Sequence, residues 1–312
     1  MPTVAMGGEE GNDMELKVTQ YEIGDDGVAV VRLRRPGRGN SWTARMNAEY
    51  RWIMARLEHD AAARVIVVTG SGDQFCVGAD HKALAHYTEG DHDYVASVRG
   101  AELAKPGQGV HPEFDHDLVW HWGIGKPIVA AINGACAGIA MALACFCDLR
   151  YAASGAKLTT ATARLGLPAE YGLSWLLPRL VGVTHAADIL LTGRIFRAEE
   201  ALRMGLVNDV FPRESFNDTV MRIARSAAAE ISPLSAAATK RQLYGELMER
   251  GIGRAVDASK ELIGVMMKHP DYREGVAALR DRRAPSFPPA GHERVVLPAG
   301  SLPPYRSADG DR

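Results

Sequence analysis

In the stretch "KLTTATARLGLPAEYGLSW", Lys157 to Trp175, the only carboxylate is Glu170, set between Pro168 and Gly172 where a strand-like run hands over to a helix. A carboxylate there is either a general base or a first-turn acid favoured by the helix dipole. Two further stretches, "FCVGADHKAL" and "INGACAGIAMALACFCD", place Gly and Ala where backbone N–H groups can approach a ligand without side-chain obstruction. In the second, the N–H groups of Gly138 and Ile139 open a helix, whose positive end adds to stabilisation of a developing oxyanion. Taken singly, each of these loops is also explained by a tight turn that needs small residues.

The elements that must position these residues are read from periodicity. "GVAVVRLRR" reads as a strand, "TARMNAEYRWIMARLEHD" as an amphipathic helix and "ARVIVVTGSG" as a buried strand ending in a Gly turn. A second unit follows a helix ending near Trp122: "KPIVAAINGACAG" as strand and turn, "IAMALACFC" as an apolar helix, "DLRYAAS" as a strand. This repetition implies stacked sheets with helices outside, in an α/β fold. Neither buried strand is followed by GxGxxG or GxxxxGK[ST], so a nucleotide-binding doubly wound sheet is not expected. From "AEEALRMGLVNDVF" onward the pattern is helical, and the end from about Ala284 is Pro-rich.

The 312 residues, 46% hydrophobic and 24% charged, suffice for one large core. A formal net charge of −2, with no basic tail or stripe, argues against nucleic acid or a membrane surface as partner. No run reaches the roughly 18 apolar residues of a membrane span, and the start lacks a signal-peptide pattern, so a cytoplasmic location is expected. Cys76, Cys136, Cys145 and Cys147 lack metal-ligand spacing and read as buried thiols. His86, His92, His111, His116 and His121 invite a metal reading, but their irregular spacing does not put pairs on one helix face, and no metal is expected.

In this order, about 60 residues apart, the two loops and their surroundings resemble the crotonase (enoyl-CoA hydratase/isomerase) superfamily over roughly Leu16 to Arg283. The segments that carry the resemblance include "RVIVVTGSGDQFCVGADHKAL", "CDLRYAASGAKL", "LGLPAEYGLSWLLPRLVG" and "LLTGRIFRAEEALRMGLVNDVF". It implies a spiral of ββα units with a C-terminal helical trimerisation region, and hence a homotrimer or dimer of trimers. The boundaries expected are a disordered extension over 1–14, the spiral core over 15–212, the helical region over 213–283 and a Pro-rich tail over 284–312. The implied ligand is an acyl-CoA thioester, with coenzyme A as part of the substrate and no separate cofactor.

By the same resemblance the thioester oxygen is held by the N–H groups of Ala79 and Ile139, with Gly138 keeping the approach open, and these donors stabilise an enolate. Hydratases of the superfamily carry two glutamates at the places occupied here by Ala142 and Thr162, neither of which can move a proton in that way. Glu170 falls where dienoyl-CoA isomerases of the superfamily place a catalytic aspartate. That implies double-bond isomerisation by one acid/base, with hydration, other thioester chemistry or binding without catalysis as alternatives. Arg32, Arg34 and Arg35 lie where the family contacts the adenosine-phosphate end of CoA, and Lys240 or Arg241 is placed to contribute; a solvated charged edge explains them equally. Asp80, His81 and Tyr171 are further candidates for substrate contact. For Asp80 the competing reading is satisfaction of neighbouring backbone N–H groups, and for His81 a solvent-facing side chain.

Overall fold

The structure is a computed structural model that describes residues 14–80, 103–248, 263–265 and 267–289. Its centre is a six-stranded sheet of β1 (Thr19–Ile23), β2 (Val28–Leu33), β3 (Val65–Gly70), β4 (Ile128–Ile132), β6 (Leu149–Ala153) and β9 (Asp209–Phe211), in that order. Only the β1–β2 pair is antiparallel. The remaining strands therefore deliver the loops after β2, β3, β4, β6 and β9 to one edge of the sheet. β3 and β4 are buried along their whole length, as near-continuous Val, Ile and Ala runs require when both faces of a parallel sheet are covered.

One face carries Val28, Val30, Val65, Val67, Val129 and Ala131 against α5 (Phe216–Glu230), through Phe216, Val220, Ala224 and Ala228. The other carries Ala29, Val31, Ile66, Val68, Ile128 and Ala130 into the main core. That core takes in α1 (Ala44–His59), capped by the Thr43 hydroxyl accepting from Met46 N–H, and α2 (Ile139–Phe146). Every residue of α2 from Ala140 to Phe146 is buried, so this helix runs through the interior and does not lie outside the sheets as its position in the repeat implied. Its Ala-rich composition is what lets it fit there.

The second sheet is β5 (Cys136–Ala137), β7 (Lys157–Thr159) and β8 (Phe196–Arg197). Single bridges extend it sideways, pairing Cys76 with Cys136 and Trp42 with Ala79, both in parallel. α3 (Leu173–Thr192) follows, broken at Gly182, and packs against α2 and against the 3-10 turn Thr162–Leu165. α4 (Ala198–Arg203), α6 (Pro233–Glu246) and α7 (Pro270–Asp281) are further helices. Because α5 is a layer of the sheet, the boundary expected at 212/213 crosses a packed interface. The expected tail begins in contact with the body, where Ser286 N–H donates to Glu274 and Arg64 donates to the Phe287 carbonyl.

Candidate active site

The ladder of the second sheet orients the first loop. Trp42 N–H donates to the Gly78 carbonyl at 2.8 Å and Asp80 N–H donates to the Trp42 carbonyl at 2.9 Å. Both bonds run to the same neighbour, and backbone groups alternate sides along an extended strand. The Ala79 N–H therefore faces the opposite way, toward the second loop, and has no hydrogen-bond partner among the described residues. Gly78 has φ of +99°, and a Cβ on it would lie 3.2 Å from the Ala137 carbonyl oxygen, so the two loops approach as closely as glycine permits.

The second loop is built to match. Ala137 N–H donates to the Cys76 carbonyl and Gly138 N–H to the Thr159 carbonyl, at 3.0 and 3.1 Å, and there the ladder ends. Gly138 turns with φ 55° and ψ −123°, a conformation open to glycine and strained for other residues, and caps α2 without any side-chain hydrogen bond. Ile139 N–H is the first of the helix's unpaired donors. Ala79 is exposed and Ile139 half-buried. Two N–H groups without backbone partners at neighbouring strand ends, one at a helix N-terminus, are the kind of donors that stabilise a developing oxyanion.

Glu170 lies in the turn between Thr162–Leu165 and α3. Its carbonyl accepts from Leu173 N–H at 3.0 Å, while its half-buried carboxylate has no hydrogen-bond or ion-pair partner among the described residues. The N-cap of α3 is Gly172, without a side-chain cap bond, so Glu170 does not cap this helix. Tyr171 and Gly172, next along the chain, have φ of 51° and 70°, two left-handed residues in succession. Strain of this kind on a non-glycine residue gathers at functional turns. Ala142 and Thr162 are both buried and neither carries an acid.

Several candidate contacts are engaged elsewhere. The Arg32 guanidinium pairs with Glu22 at 3.2 Å on the strand edge. Arg35 pairs with Asp80 at 2.9 Å, and Asp80 is buried, so neither extends toward a ligand. Lys240 is buried and donates to Asp148 at 2.7 Å and to the Lys126 carbonyl, because an ammonium removed from water must find oxygen partners. These three basic residues were legible as charges but not as charges already matched. Tyr171 is exposed beside Glu170, and His81 lies outside the described residues.

Among the histidines of the long loop, His86 and His92 also lie outside the described residues. His121 is fully buried: its Nδ1 donates to the Leu118 carbonyl at 2.6 Å and its Nε2 accepts from the Tyr50 hydroxyl at 2.8 Å. Burial pushes its pKa down to about 3, which suits a neutral core group with both nitrogens satisfied. The four cysteines are buried thiols, with burial pushing Cys76 up to about 12 and Cys145 up to about 11. Among the described residues no group of three or more His, Cys, Asp and Glu side chains could hold a metal ion. Nor is any described helix long and apolar enough to cross a membrane.

Sequence reasoning missed a cleft of about 580 Å³ at the sheet edge, lined by Arg38, Gly39, Gln74, Val77, Lys157 and Arg213 among others. Its lining carries three cations and no carboxylate, and Val77, in the first loop, donates its N–H to the Gly39 carbonyl at 3.0 Å. The residues come from five separate loops, so no local pattern announces them.

This α/β architecture is shared with solved structures of the enoyl-CoA hydratase/isomerase family. A profile of the enoyl-CoA hydratase/isomerase family matches residues 24–289, and the chain belongs to that family, an enzyme family of the crotonase superfamily. It is 36% identical over 265 residues to the (E)-benzylidenesuccinyl-CoA hydratase of Thauera aromatica, covering 83% of this chain and 95% of that one. It is 30% identical to the 1,2-epoxyphenylacetyl-CoA isomerase of Escherichia coli, covering 84% and 95%. The crystal structure of an enoyl-CoA hydratase from Bacillus anthracis superposes with a TM-score of 0.75 at 25% identity, over 88% of this chain and all of that one.

Proposed function

We propose that this enzyme isomerises a carbon–carbon double bond in an acyl-CoA thioester, with Glu170 as its single acid/base. The observation that carries the reading is the unpartnered Glu170 carboxylate in a strained turn, with Ala142 and Thr162 where a second and third acid would stand. The Glu170 carboxylate takes a proton from C2 of a 3-enoyl thioester. Electrons move toward the carbonyl, and the oxygen's charge is met by the N–H groups of Ala79 and Ile139. The protonated acid then returns the proton at C4, the double bond reforms between C2 and C3, and no atom is gained or lost. The cationic cleft beside Val77 supports a CoA ester, since its three cations suit the phosphates of the nucleotide.

Hydration is the second reading, favoured by similarity to relatives that are named hydratases. It requires Glu170 alone to activate water and deliver a proton. Incubating a 3-enoyl-CoA and, separately, its 2-enoyl isomer in D₂O separates the two: isomerisation interconverts them with deuterium at C2 and C4, whereas hydration leaves the 3-enoyl ester unchanged and converts the 2-enoyl ester to a 3-hydroxyacyl product. Glu170→Gln preserves shape and removes the proton acceptor, and turnover is expected to drop by at least about 10²-fold with binding retained. Exchange of label by Glu170→Gln at the wild-type rate would leave Glu170 without a role in the chemistry.

A further inference from the structure

Arg35 and Asp80, which do not point at a ligand, converge on the loop that carries Ala79. The buried Asp80 carboxylate receives Arg35 Nη1 and the Ser41 hydroxyl on the same oxygen, each at 2.9 Å. The same Arg35 Nη1 donates to the Ser41 carbonyl at 2.7 Å, tying the guanidinium to the strand on which Trp42 sits. Asn40, also buried, fixes the other side: its Oδ1 accepts from Arg35 N–H, and its amide donates to the Ser71 and Gln74 carbonyls. The peptide on each side of Ala79 thus has one bond to the Trp42 backbone, and the second is followed directly by an anchored side chain.

We propose that Asp80 is a positioning residue, whose carboxylate, clamped by Arg35 and Ser41, holds the Ala79 N–H in line with the thioester oxygen; this rests on the oxyanion-hole reading above. Two ladder bonds at the end of a sheet are by themselves a weak restraint on rotation. A carboxylate taken out of water beside a guanidinium is a far stiffer restraint, because any rotation that swings it away leaves the buried Asp80 charge unmatched. The Ala79 N–H lies in the 78–79 peptide, whose Gly78 carbonyl accepts from Trp42 N–H, and the clamp ties Ser41, next to Trp42, to Asp80, so Ala79 is held between two points on the same neighbouring strand. A donor that drifts by an ångström loses its strength where charge develops, while the pocket for the rest of the ligand stays intact.

The test measures kcat and two affinities, for a saturated acyl-CoA and for the S-alkyl-CoA thioether that lacks its carbonyl. The ratio of the two affinities reads the oxyanion hole alone. Asp80→Asn is expected to lower kcat by about 10- to 100-fold and to erode the thioester preference, with thioether affinity unchanged. Ser41→Ala, which removes one of the two donors to the carboxylate and folds more readily, is expected to fall between. Thr43→Ala, which removes the α1 cap next door, destabilises the same segment and is expected to leave the ratio alone. If Asp80→Asn and Ser41→Ala melt lower yet keep the wild-type ratio and kcat, Asp80 is structural and the proposal fails. If wild-type enzyme itself shows no thioester preference, the oxyanion-hole reading fails first, and the positioning role falls with it.

Discussion

Gly138→Ala isolates the turn that aims Ile139 N–H. At φ 55° and ψ −123° an alanine is strained by about 1–3 kcal/mol. Its Cβ would meet Gly78 Cα at 3.8 Å and the Thr160 carbonyl oxygen at 3.9 Å, ordinary contact distances, so crowding adds little and the cost is conformational. For a chain of this size that lowers the melting temperature by roughly 2–12 °C. The strain is relieved by rotating the peptide between residues 138 and 139, which turns the Ile139 N–H away. Loss of one oxyanion donor lowers kcat by about 10²- to 10³-fold. Gly109→Ala is the control: φ is +79°, nothing lies within 4 Å of the added Cβ, and the residue is remote from the loops in sequence. It is expected to melt lower and to turn over normally. Melting curves and initial rates on an enoyl-CoA decide the matter. A Gly138→Ala enzyme that melts lower but keeps its rate within about twofold, against the loss expected for a missing donor, refutes Ile139 N–H as a donor.

Lys240→Met should cost about 3–5 kcal/mol in urea unfolding by stranding Asp148, while leaving acyl-CoA affinity unchanged. Charge reversal at the cleft, Lys157→Glu with Arg213→Glu, should weaken binding of acyl-CoA but not of the matching acyl-pantetheine, and salt should shrink the difference. His121 bears on acid stability. Its folded pKa of about 3 lies below the ordinary 6.5, so between those values the unfolded chain binds a proton that the folded chain refuses. Stability is therefore intact above pH 6.5 and falls by about 1.4 kcal/mol per unit as pH drops toward 3. The double variant Tyr50→Phe with His121→Leu should show a correspondingly shallower loss between pH 6.5 and 4.5 in urea titrations, and an unchanged slope would exclude His121 as the source.

What local chemistry dictates was legible in the chain. The Val- and Ile-rich runs of β2, β3 and β4, the Thr43-capped helix and the Gly138 turn follow from side-chain period and backbone freedom, which act over a few residues. So did the candidacy of Glu170, the lone acid of its stretch. Only tertiary structure decided which charges were already matched: Arg32, Arg35 and Lys240 look alike as basic residues, yet they pair with Glu22, Asp80 and Asp148, up to 92 residues away. It also decided that the small-residue helix α2 runs inside the core, and that Ala79 N–H faces the second loop, since that direction is set by bonds from Trp42 on another strand. A charge's partner and an N–H's direction depend on chain segments that meet only after folding, and no local pattern of residues encodes that meeting.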